Sequence, residues 1–475
     1  LVVNHTSDEH PWFEEARKSR HNPYYNYYHW WPAEKGEPPL RLSYFDEEGN
    51  AWMYNKPTDS YYLHYFSRKQ PDLNWENPEI RQEIFDMMRF WFDKGIDGFR
   101  MDSISLIAKD PSFPLIDSKK YPDIFSFYAK EPRLHLYLHE MNRQVLSKYD
   151  CMSVGEGSAV MVDDVAKFVD PAREELNMLY HFDAARIRNT TLPDNPESGI
   201  DYSLIALKKM FTEWDKAIDK GWPSIYLGNH DQPRMVSRFG SDKDEFRALS
   251  AKMLITFLLT MRGTPYWFAG DEIGMRNIRF DRIEDYNDID TINRYKKAKA
   301  EGKDPQAVLD EQKETGRDNA RTPFQWDRSP EAGFTAGTPW LKVNPDYTWI
   351  NVADEEKDPT SILNYFKKVV SFRKENPSLI YGSYHLLDAE NPQCYIFLRK
   401  TGADTYLIML NFSPKAAIST PGIDMSNAHV LLDNYGDRSH MAPQKDITLR
   451  PFEAIVFQLN HPVYESFIDS LDLLE

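Results

Sequence analysis

Three carboxylate residues, each placed shortly after a buried strand pattern, constrain the fold of this chain more than any other feature. They are Asp102 in GFRMD, Glu156 in VGEG and Asp231 in GNHDQ. The apolar runs before them predict strands at 96–101, 151–155 and 224–228. Carboxylates at the carboxyl ends of successive parallel strands converge on one face of a β/α barrel. The pattern therefore predicts a barrel that carries its chemistry on that face.

Strand and helix patterns alternate along most of the chain, which is typical of an α/β fold. Further barrel strands are predicted at 1–4, 177–182 and 264–269, and helices at 79–92, 131–148, 202–220, 245–261 and 359–375. These strands make six, whereas a closed (β/α)8 TIM barrel has eight. The strand at 1–4 has no methionine or turn before it. We therefore expect the first two βα units to lie upstream of the given sequence.

Two segments depart from the barrel pattern. Residues 5–74 are irregular, aromatic and rich in turns, too long for an ordinary βα loop, and predict an inserted subdomain after the third strand. From residue 379 onwards short strands with turns predict a separate antiparallel β domain, with strands at 394–398, 406–411, 429–432 and 454–459. The predicted domains are thus a barrel (1–4 and 75–378), an insert (5–74) and a β domain (379–475). A charged stretch at 296–312 predicts one solvated helix.

Composition excludes some partners. The net charge of −17 argues against nucleic acid or an anionic membrane as a partner. No apolar run approaches the length of a transmembrane helix. The only two cysteines, Cys151 and Cys394, both fall in strand patterns, so we expect two free thiols, a reducing compartment and a cytoplasmic location.

Seven motifs together resemble the α-amylase family of glycoside hydrolases, and more narrowly its oligo-1,6-glucosidase and α-glucosidase branch. The motifs are LVVNHTSDEH, QPDLNWENP, GFRMD, VGE, NHDQPR, GTPYWFAGDEIGM and RDNARTPFQWD. One motif alone is a weak signal, but seven in the family's order are not a chance match. The resemblance implies a catalytic barrel, an insert after strand 3 and a C-terminal β-sandwich. It also implies exo-acting cleavage of short α-glucosides with retention of configuration.

The resemblance assigns roles to the three carboxylates. It implies that Asp102 is the nucleophile, Glu156 the general acid and base, and Asp231 a third carboxylate that hydrogen-bonds the sugar. Two carboxylates that face each other across a glycosidic bond are the minimal machinery for its cleavage. Arg100 precedes Asp102 by two residues, so strand alternation turns both side chains to one face, where the guanidinium favours an ionised nucleophile. The plain alternatives are a structural ion pair at Asp102 and a helix N-cap at Asp231.

The resemblance also implies a set of substrate-binding residues. His5 and His230 would donate to hydroxyls of the reacting sugar, and Arg317 would close the non-reducing end of a glucose pocket, with Arg321 bracing that loop. Phe66 would form a stacking wall and Gln70 a polar contact, although Phe66 could equally belong to the core of the insert. The aromatic run YYNYYHWW at 24–31 could be a sugar platform, but we favour internal packing.

Some alternatives stay open on the sequence. A sucrose isomerase or trehalose synthase of the same fold would use the same carboxylates, whereas a catalytically inactive transporter subunit would not need them. A metal-dependent barrel enzyme lacks support, because no histidine spacing such as HExxH occurs. We expect no cofactor for the chemistry, a possible structural calcium or magnesium upstream, and a small oligosaccharide as the partner. Ser103 leaves the preference between α-1,6 and α-1,4 linkages undecided.

Overall fold

The computed structural model describes residues 1–45, 49–117, 119–121, 124–190, 193–195, 201–402, 404–423, 425, 428–438 and 446–459. Residues 46–48 of the predicted insert and 460–475 of the predicted β domain lie outside this description. The chain divides into two compact units, Leu1–Phe182 with Lys216–Pro223, and Asp183–Asp215 with Ser224–Glu475. Within the described ranges, no helix is long and apolar enough to cross a membrane.

The first unit contains two small sheets and five helices. Its strands are β1 (Trp30–Pro32), β2 (Trp52–Asn55), β3 (Ser60–Leu63), β4 (Gly98–Met101), β5 (Met152–Glu156) and β6 (Met178–Tyr180), and its helices are α1 (Pro11–Ala16), α2 (Pro78–Asp93), α3 (Ile124–Tyr128), α4 (Arg133–Gln144) and α5 (Val165–Val169). Strands β4, β5 and β6 form a parallel sheet in chain order. Val2 extends it by one parallel bridge to Asp102.

The segment 5–74 forms an antiparallel sheet of its own, in the order β1-β3-β2. Its two ends lie side by side, because His5 and Asp72 form an antiparallel bridge. Helix α2 then begins at Pro78, behind an Asn77 cap whose side chain accepts the Glu79 N–H at 2.9 Å. The capped start and the proline at the first turn explain why this helix follows its sequence prediction closely.

The second unit combines helices with a short parallel pair of strands and the β domain. Its helices are α6 (Asp183–Thr190), α7 (Leu204–Ala217), α8 (Met235–Phe239), α9 (Arg247–Thr260), α10 (Ile289–Ala300), α11 (Pro305–Thr315), α12 (Val352–Glu355), α13 (Ile362–Glu375) and α14 (Ser378–Tyr381). Strands β7 (Ser224–Ile225) and β8 (Thr264–Pro265) pair in parallel. Helix α9 is buried along nearly its whole length and packs against α13.

The C-terminal part of this unit is antiparallel, as predicted. Its strands are β9 (Ser383–Leu387), β10 (Cys394–Thr401), β11 (Asp404–Asn411), β12 (Ala417–Ser419), β13 (His429–Asp433), β14 (Ile447–Leu449) and β15 (Ala454–Leu459). The main sheet has the order β13-β15-β11-β10-β9, and β12 pairs with β14. Apolar side chains of both sheets form one buried core that includes Ile396, Leu407 and Phe457.

Four sequence predictions differ from the structure. The predicted strand at 1–4 is reduced to the single bridge at Val2, and the predicted strands at 224–228 and 264–269 pair over two residues each. The single helix predicted at 296–312 is two helices, because Asp304 caps a new helix that starts at Pro305. A proline has no N–H for a helix interior, so it separates α10 from α11.

Candidate active site

Two of the predicted catalytic carboxylates share one arginine in the first unit. Arg100 Nη1 donates to Asp102 Oδ1 at 2.5 Å, and Arg100 Nη2 lies 3.1 Å from Glu156 Oε2. Register brings them together, because Arg100 on β4 pairs with Val154 on β5, two residues before Glu156. The Asp102 side chain is 26% exposed and the Glu156 side chain 8%. A partly open carboxylate beside a buried one suits a nucleophile and an acid with different tasks.

A strained turn after β4 provides a hydrogen-bond donor to Glu156. Ser103 has a left-handed backbone with φ of 44°, which is unusual for a residue other than glycine. In this conformation the Ser103 N–H donates to Glu156 Oε2 at 2.7 Å. Backbone strain of this kind persists where the surrounding structure enforces it, often at functional sites.

A buried network orients His5. Asn4 Nδ2 contacts His5 Nδ1 at 3.3 Å, while Lys109 Nζ donates to Asn4 Oδ1 at 2.6 Å and lies 3.1 Å from Asp72 Oδ2. Since Asn4 uses its oxygen for Lys109, its amide nitrogen is the group that faces His5 Nδ1. Burial lowers the pKa of His5, so the ring is neutral. A neutral imidazole has one N–H donor and one acceptor nitrogen, and either can serve a hydroxyl group.

Phe66 and Gln70 lie beside His5. The Gln70 amide contacts His5 Nε2 at 3.1 Å, and the Phe66 ring lies 5.2 Å from the His5 ring. Phe66 also stacks on Tyr44 at 5.0 Å, so the ring packs within the insert as well as bordering the histidine. Packing within the insert is therefore observed, and the stacking of Phe66 on a sugar stays a prediction.

The second unit collects the remaining predicted residues around Asp231. The nearest cation is Arg321, whose Nη2 donates to Asp231 Oδ1 at 2.7 Å, and Arg317 Nη1 reaches the same oxygen at 3.4 Å. His230 Nε2 lies 3.3 Å from Asp231 Oδ2. Arg321 Nε also donates to the His230 carbonyl at 2.8 Å, so this arginine holds both the backbone and the carboxylate of the 230–231 segment. Asp231 caps no helix, because α8 starts after Arg234.

Arg317 has a second anchor that the sequence did not indicate. Its Nη2 donates to Asp288 Oδ1, and Asp288 also accepts from the Thr291 hydroxyl at 2.8 Å. Burial alone would raise the pKa of Asp288, but Arg317 and Thr291 outweigh it, so the pKa is lowered and the carboxylate stays ionised. Asp318 fixes the backbone here by accepting the Asp288 N–H at 2.8 Å. Arg317 is therefore held from two sides before any sugar arrives.

The aromatic run at 24–31 packs internally, which agrees with the favoured interpretation. Tyr27 and Tyr28 are buried, and Trp30 stacks on Tyr25 at 4.8 Å.

A cavity of about 830 Å³ in the first unit borders His5 and Gln70, and its lining includes none of the three carboxylates. Among the described residues, no group of three or more His, Cys, Asp or Glu side chains is placed to hold a metal ion.

Sequence reasoning missed Tyr180 and Asp288, which contact the predicted site residues Arg100 and Arg317, and Lys109, which holds Asn4 beside His5. Tyr180 stands at the carboxyl end of a parallel strand, and this position was a signal that could have found it. Asp288 is the N-cap of α10, a pattern that indicates a helix start and no site, and Lys109 lies in an irregular segment. Both cysteines are free thiols, as predicted, with Cys394 fully buried.

Comparison with known proteins identifies the family of this chain. The family model described as "Alpha amylase, catalytic domain" matches residues 1–382 of this chain. The chain is 48% identical to an oligo-1,6-glucosidase of Parageobacillus thermoglucosidasius over 97% of this chain and 83% of that protein. It is 39% identical to a trehalose-6-phosphate hydrolase of Bacillus subtilis over 97% of this chain and 82% of that protein.

A solved structure is similar over nearly the whole chain. A crystal structure of an isomaltulose synthase mutant from Erwinia rhapontici, in complex with its natural substrate sucrose, has a TM-score of 0.90 at 38% identity. It covers 97% of this chain and 82% of that one. The fold is accordingly a TIM-barrel catalytic domain with a C-terminal antiparallel β domain. The motifs, the fold and the similarity place this chain in the α-amylase family of glycoside hydrolases.

Proposed function

We propose that the protein is an exo-acting α-glucosidase that releases glucose from the non-reducing end of short α-glucosides with retention of configuration. The observation that carries the proposal is the contact of one guanidinium, that of Arg100, with both Asp102 and Glu156. Retaining glycosidases keep their two carboxyl groups roughly 5–5.5 Å apart, and inverting enzymes roughly 6.5–9.5 Å apart. Two carboxylates within the span of one guanidinium favour the shorter separation.

The proposed reaction has two displacements at the same carbon. Glu156 gives its proton to the glycosidic oxygen as the bond to C1 breaks, and Asp102 attacks C1 to form a glucosyl ester. Glu156 then takes a proton from water as the water oxygen attacks C1 and the ester bond breaks. Two inversions leave glucose in the α configuration, with Asp102 ionised and Glu156 protonated again.

The other predicted residues bind the sugar. His5, as a neutral imidazole, hydrogen-bonds a hydroxyl, while Gln70 and Phe66 lie beside it. Asp231 accepts from hydroxyls and His230 donates to them. Arg317 presents a fixed fork of donors to the terminal glucose, since Asp288 holds its other edge.

The proposal needs no cofactor, because protons and the covalent ester carry the reaction. A structural calcium or magnesium ion is compatible with it but takes no part in the steps. The partner is a small oligosaccharide. Two free thiols support a reducing compartment such as the cytoplasm.

The second candidate is an isomerase that transfers the glucosyl group within sucrose or trehalose. It is favoured by the similarity to the isomaltulose synthase and would use the same nucleophile and acid. The difference lies in the acceptor, which is water for a hydrolase and the released sugar for an isomerase. The carboxylates alone do not separate these reactions.

Product analysis tests the proposal. The protein is incubated with isomaltose, maltose, sucrose and trehalose, and the products are separated while proton NMR follows the first anomer released. We expect glucose in the α configuration from isomaltose or maltose and no rearranged disaccharide from sucrose. A rearranged disaccharide as the main product would support the isomerase, and β-glucose as the first product would refute the double displacement.

A further inference from the structure

Tyr180 lies next to the proposed acid and nucleophile but has no assigned task. It is the last residue of β6, and its Cα is the register partner of Glu156 on β5. Gly157, which directly follows β5, donates its N–H to the Tyr180 carbonyl at 2.9 Å. The backbone therefore fixes the Tyr180 side chain at the same end of the sheet as both carboxylates.

The Tyr180 hydroxyl holds the arginine that both carboxylates share. It accepts from Arg100 Nε at 3.0 Å and also from Arg100 Nη2. The Arg100 carbon Cζ lies 5.6 Å from the centre of the Tyr180 ring, which adds a cation–π contact. With these donors engaged, Nη1 points to Asp102 and Nη2 lies between Tyr180 and Glu156.

The neutral state of this hydroxyl decides what it can do. Burial, together with the negative charge of Glu156, raises the pKa of Tyr180 well above its usual range, so the hydroxyl stays protonated. A neutral acceptor orients a guanidinium without adding a negative charge beside the carboxylates. A carboxylate in its place would compete with Asp102 for the positive charge of Arg100.

Several other groups face this cluster within the first unit. Ser103 donates its N–H to Glu156 at 2.7 Å. Asp102 and, more weakly, His5 complete the charged and titratable surroundings. Tyr180 offers Arg100 a neutral hydroxyl, whereas Asp102 and Glu156 meet it with carboxyl groups. If it is removed, the nearest alternative acceptor for Nη2 is Glu156.

We propose that Tyr180 is a positioning residue, whose neutral hydroxyl divides the donors of Arg100 between Asp102 and Glu156. The inference rests on the proposed function, since it assumes that Asp102 is the nucleophile and Glu156 the acid. Without the hydroxyl, Nε and Nη2 turn towards Glu156 and hold it ionised. Glu156, the acid, then loses its proton more easily, whereas Asp102 is unchanged as the nucleophile.

The experiment compares Tyr180→Phe with wild type on isomaltose or maltose and on an aryl glucoside with a good leaving group. The substitution keeps the ring and its cation–π contact and removes only the hydroxyl. We expect kcat on the disaccharide to fall about tenfold or more, with KM changed less than about threefold. We expect the alkaline limb of kcat/KM to move down by about half a pH unit or more. The aryl glucoside should lose much less, since its leaving group needs little protonation.

Tyr137→Phe is the matched control. Tyr137 is a buried tyrosine of α4 whose hydroxyl donates to Glu76, so its loss removes one buried hydrogen bond away from the carboxylates. We expect it to lower thermal stability while leaving the pH profile and the leaving-group dependence as in wild type. The comparison separates a general loss of stability from a change at the acid.

Two outcomes would overturn the inference. A Tyr180→Phe enzyme with the wild-type pH profile and leaving-group dependence, whatever its stability, would make the hydroxyl purely structural. Equal losses on both substrates would show that it does not act through the acid. Failure of the proposed function would look different, because wild type itself would then fail to release α-glucose from the disaccharides.

Discussion

Arg317 shows how a single residue is prepared for binding before the substrate arrives. Asp288 and Asp231 hold its guanidinium from two sides, and its side chain is 20% exposed. A fork of donors fixed in this way can hold adjacent hydroxyls of a terminal glucose, and a lysine in its place could offer only a point charge. Binding and alignment of the scissile bond should therefore depend on the same side chain.

We predict that Arg317→Ala raises KM and lowers kcat/KM on disaccharides by about 10- to 100-fold, because a loosely held sugar also misplaces the bond to be cleaved. Arg317→Lys should recover only part of this loss. Steady-state kinetics on isomaltose and maltose measure the effect. Arg328→Ala, which removes an exposed pair with Asp354, serves as the control. An unchanged KM in Arg317→Ala would exclude the binding role.

Glu156 carries a second prediction at this scale. In Glu156→Gln the amide oxygen can still accept the Ser103 N–H, so the fold should persist, but no proton can be donated to the leaving group. We expect kcat on disaccharides to fall by about 10²- to 10⁴-fold and far less on an aryl glucoside with a good leaving group. Initial rates on both substrates give the comparison. Losses of the same size on both would remove Glu156 from the acid role.

At the scale of elements, the junction of α12 and α13 contains a buried acid. Glu355 ends α12 and accepts the Leu363 N–H at 2.9 Å, while its other oxygen lies 3.9 Å from Arg247. Burial raises the pKa of Glu355 from 4.5 to about 7. The folded state thus binds a proton that the unfolded state releases above pH 4.5. Its contribution to stability is present below about pH 4.5 and is lost as the pH rises through about 7.

We predict that Glu355→Gln loses less stability than wild type between pH 5 and pH 8, because the amide keeps the bond to Leu363 and carries no charge to bury. The difference should amount to roughly 2–3 kcal/mol. Thermal and urea unfolding at both pH values measure it. Glu356→Gln, at the exposed neighbouring position, should follow wild type. A Glu355→Gln variant with the same pH dependence as wild type would contradict the argument.

For the whole molecule, the proposed exo action makes a prediction about polymers. An enzyme that recognises a terminal glucose finds few chain ends per mass in starch and many in disaccharides. We predict that soluble starch is a poor substrate compared with disaccharides and trisaccharides, and that its viscosity falls only slowly as glucose is released. Viscometry alongside a glucose assay tests this. A rapid loss of viscosity before glucose accumulates would mean internal cleavage.

The sequence by itself determined the parts of this protein that depend on local pattern. The strands before Asp102 and Glu156 were predicted to within two residues at each end, because apolar runs bounded by polar residues carry that information. The pairing of Arg100 with Asp102 followed from strand alternation alone. Helix α2 followed from its Asn77 cap and Pro78.

Only the tertiary structure decided the contacts between distant segments. Tyr180 reaches Arg100 across 80 positions, Lys109 reaches Asn4 across 105, and Arg317 reaches Asp288 across 29. Such contacts depend on strand register and on the paths of irregular loops, which no periodic pattern encodes. The charges that define the chemistry were therefore visible in the sequence. The partners that orient them, the neutral Tyr180 as well as Lys109 and Asp288, emerged only when the chain was folded.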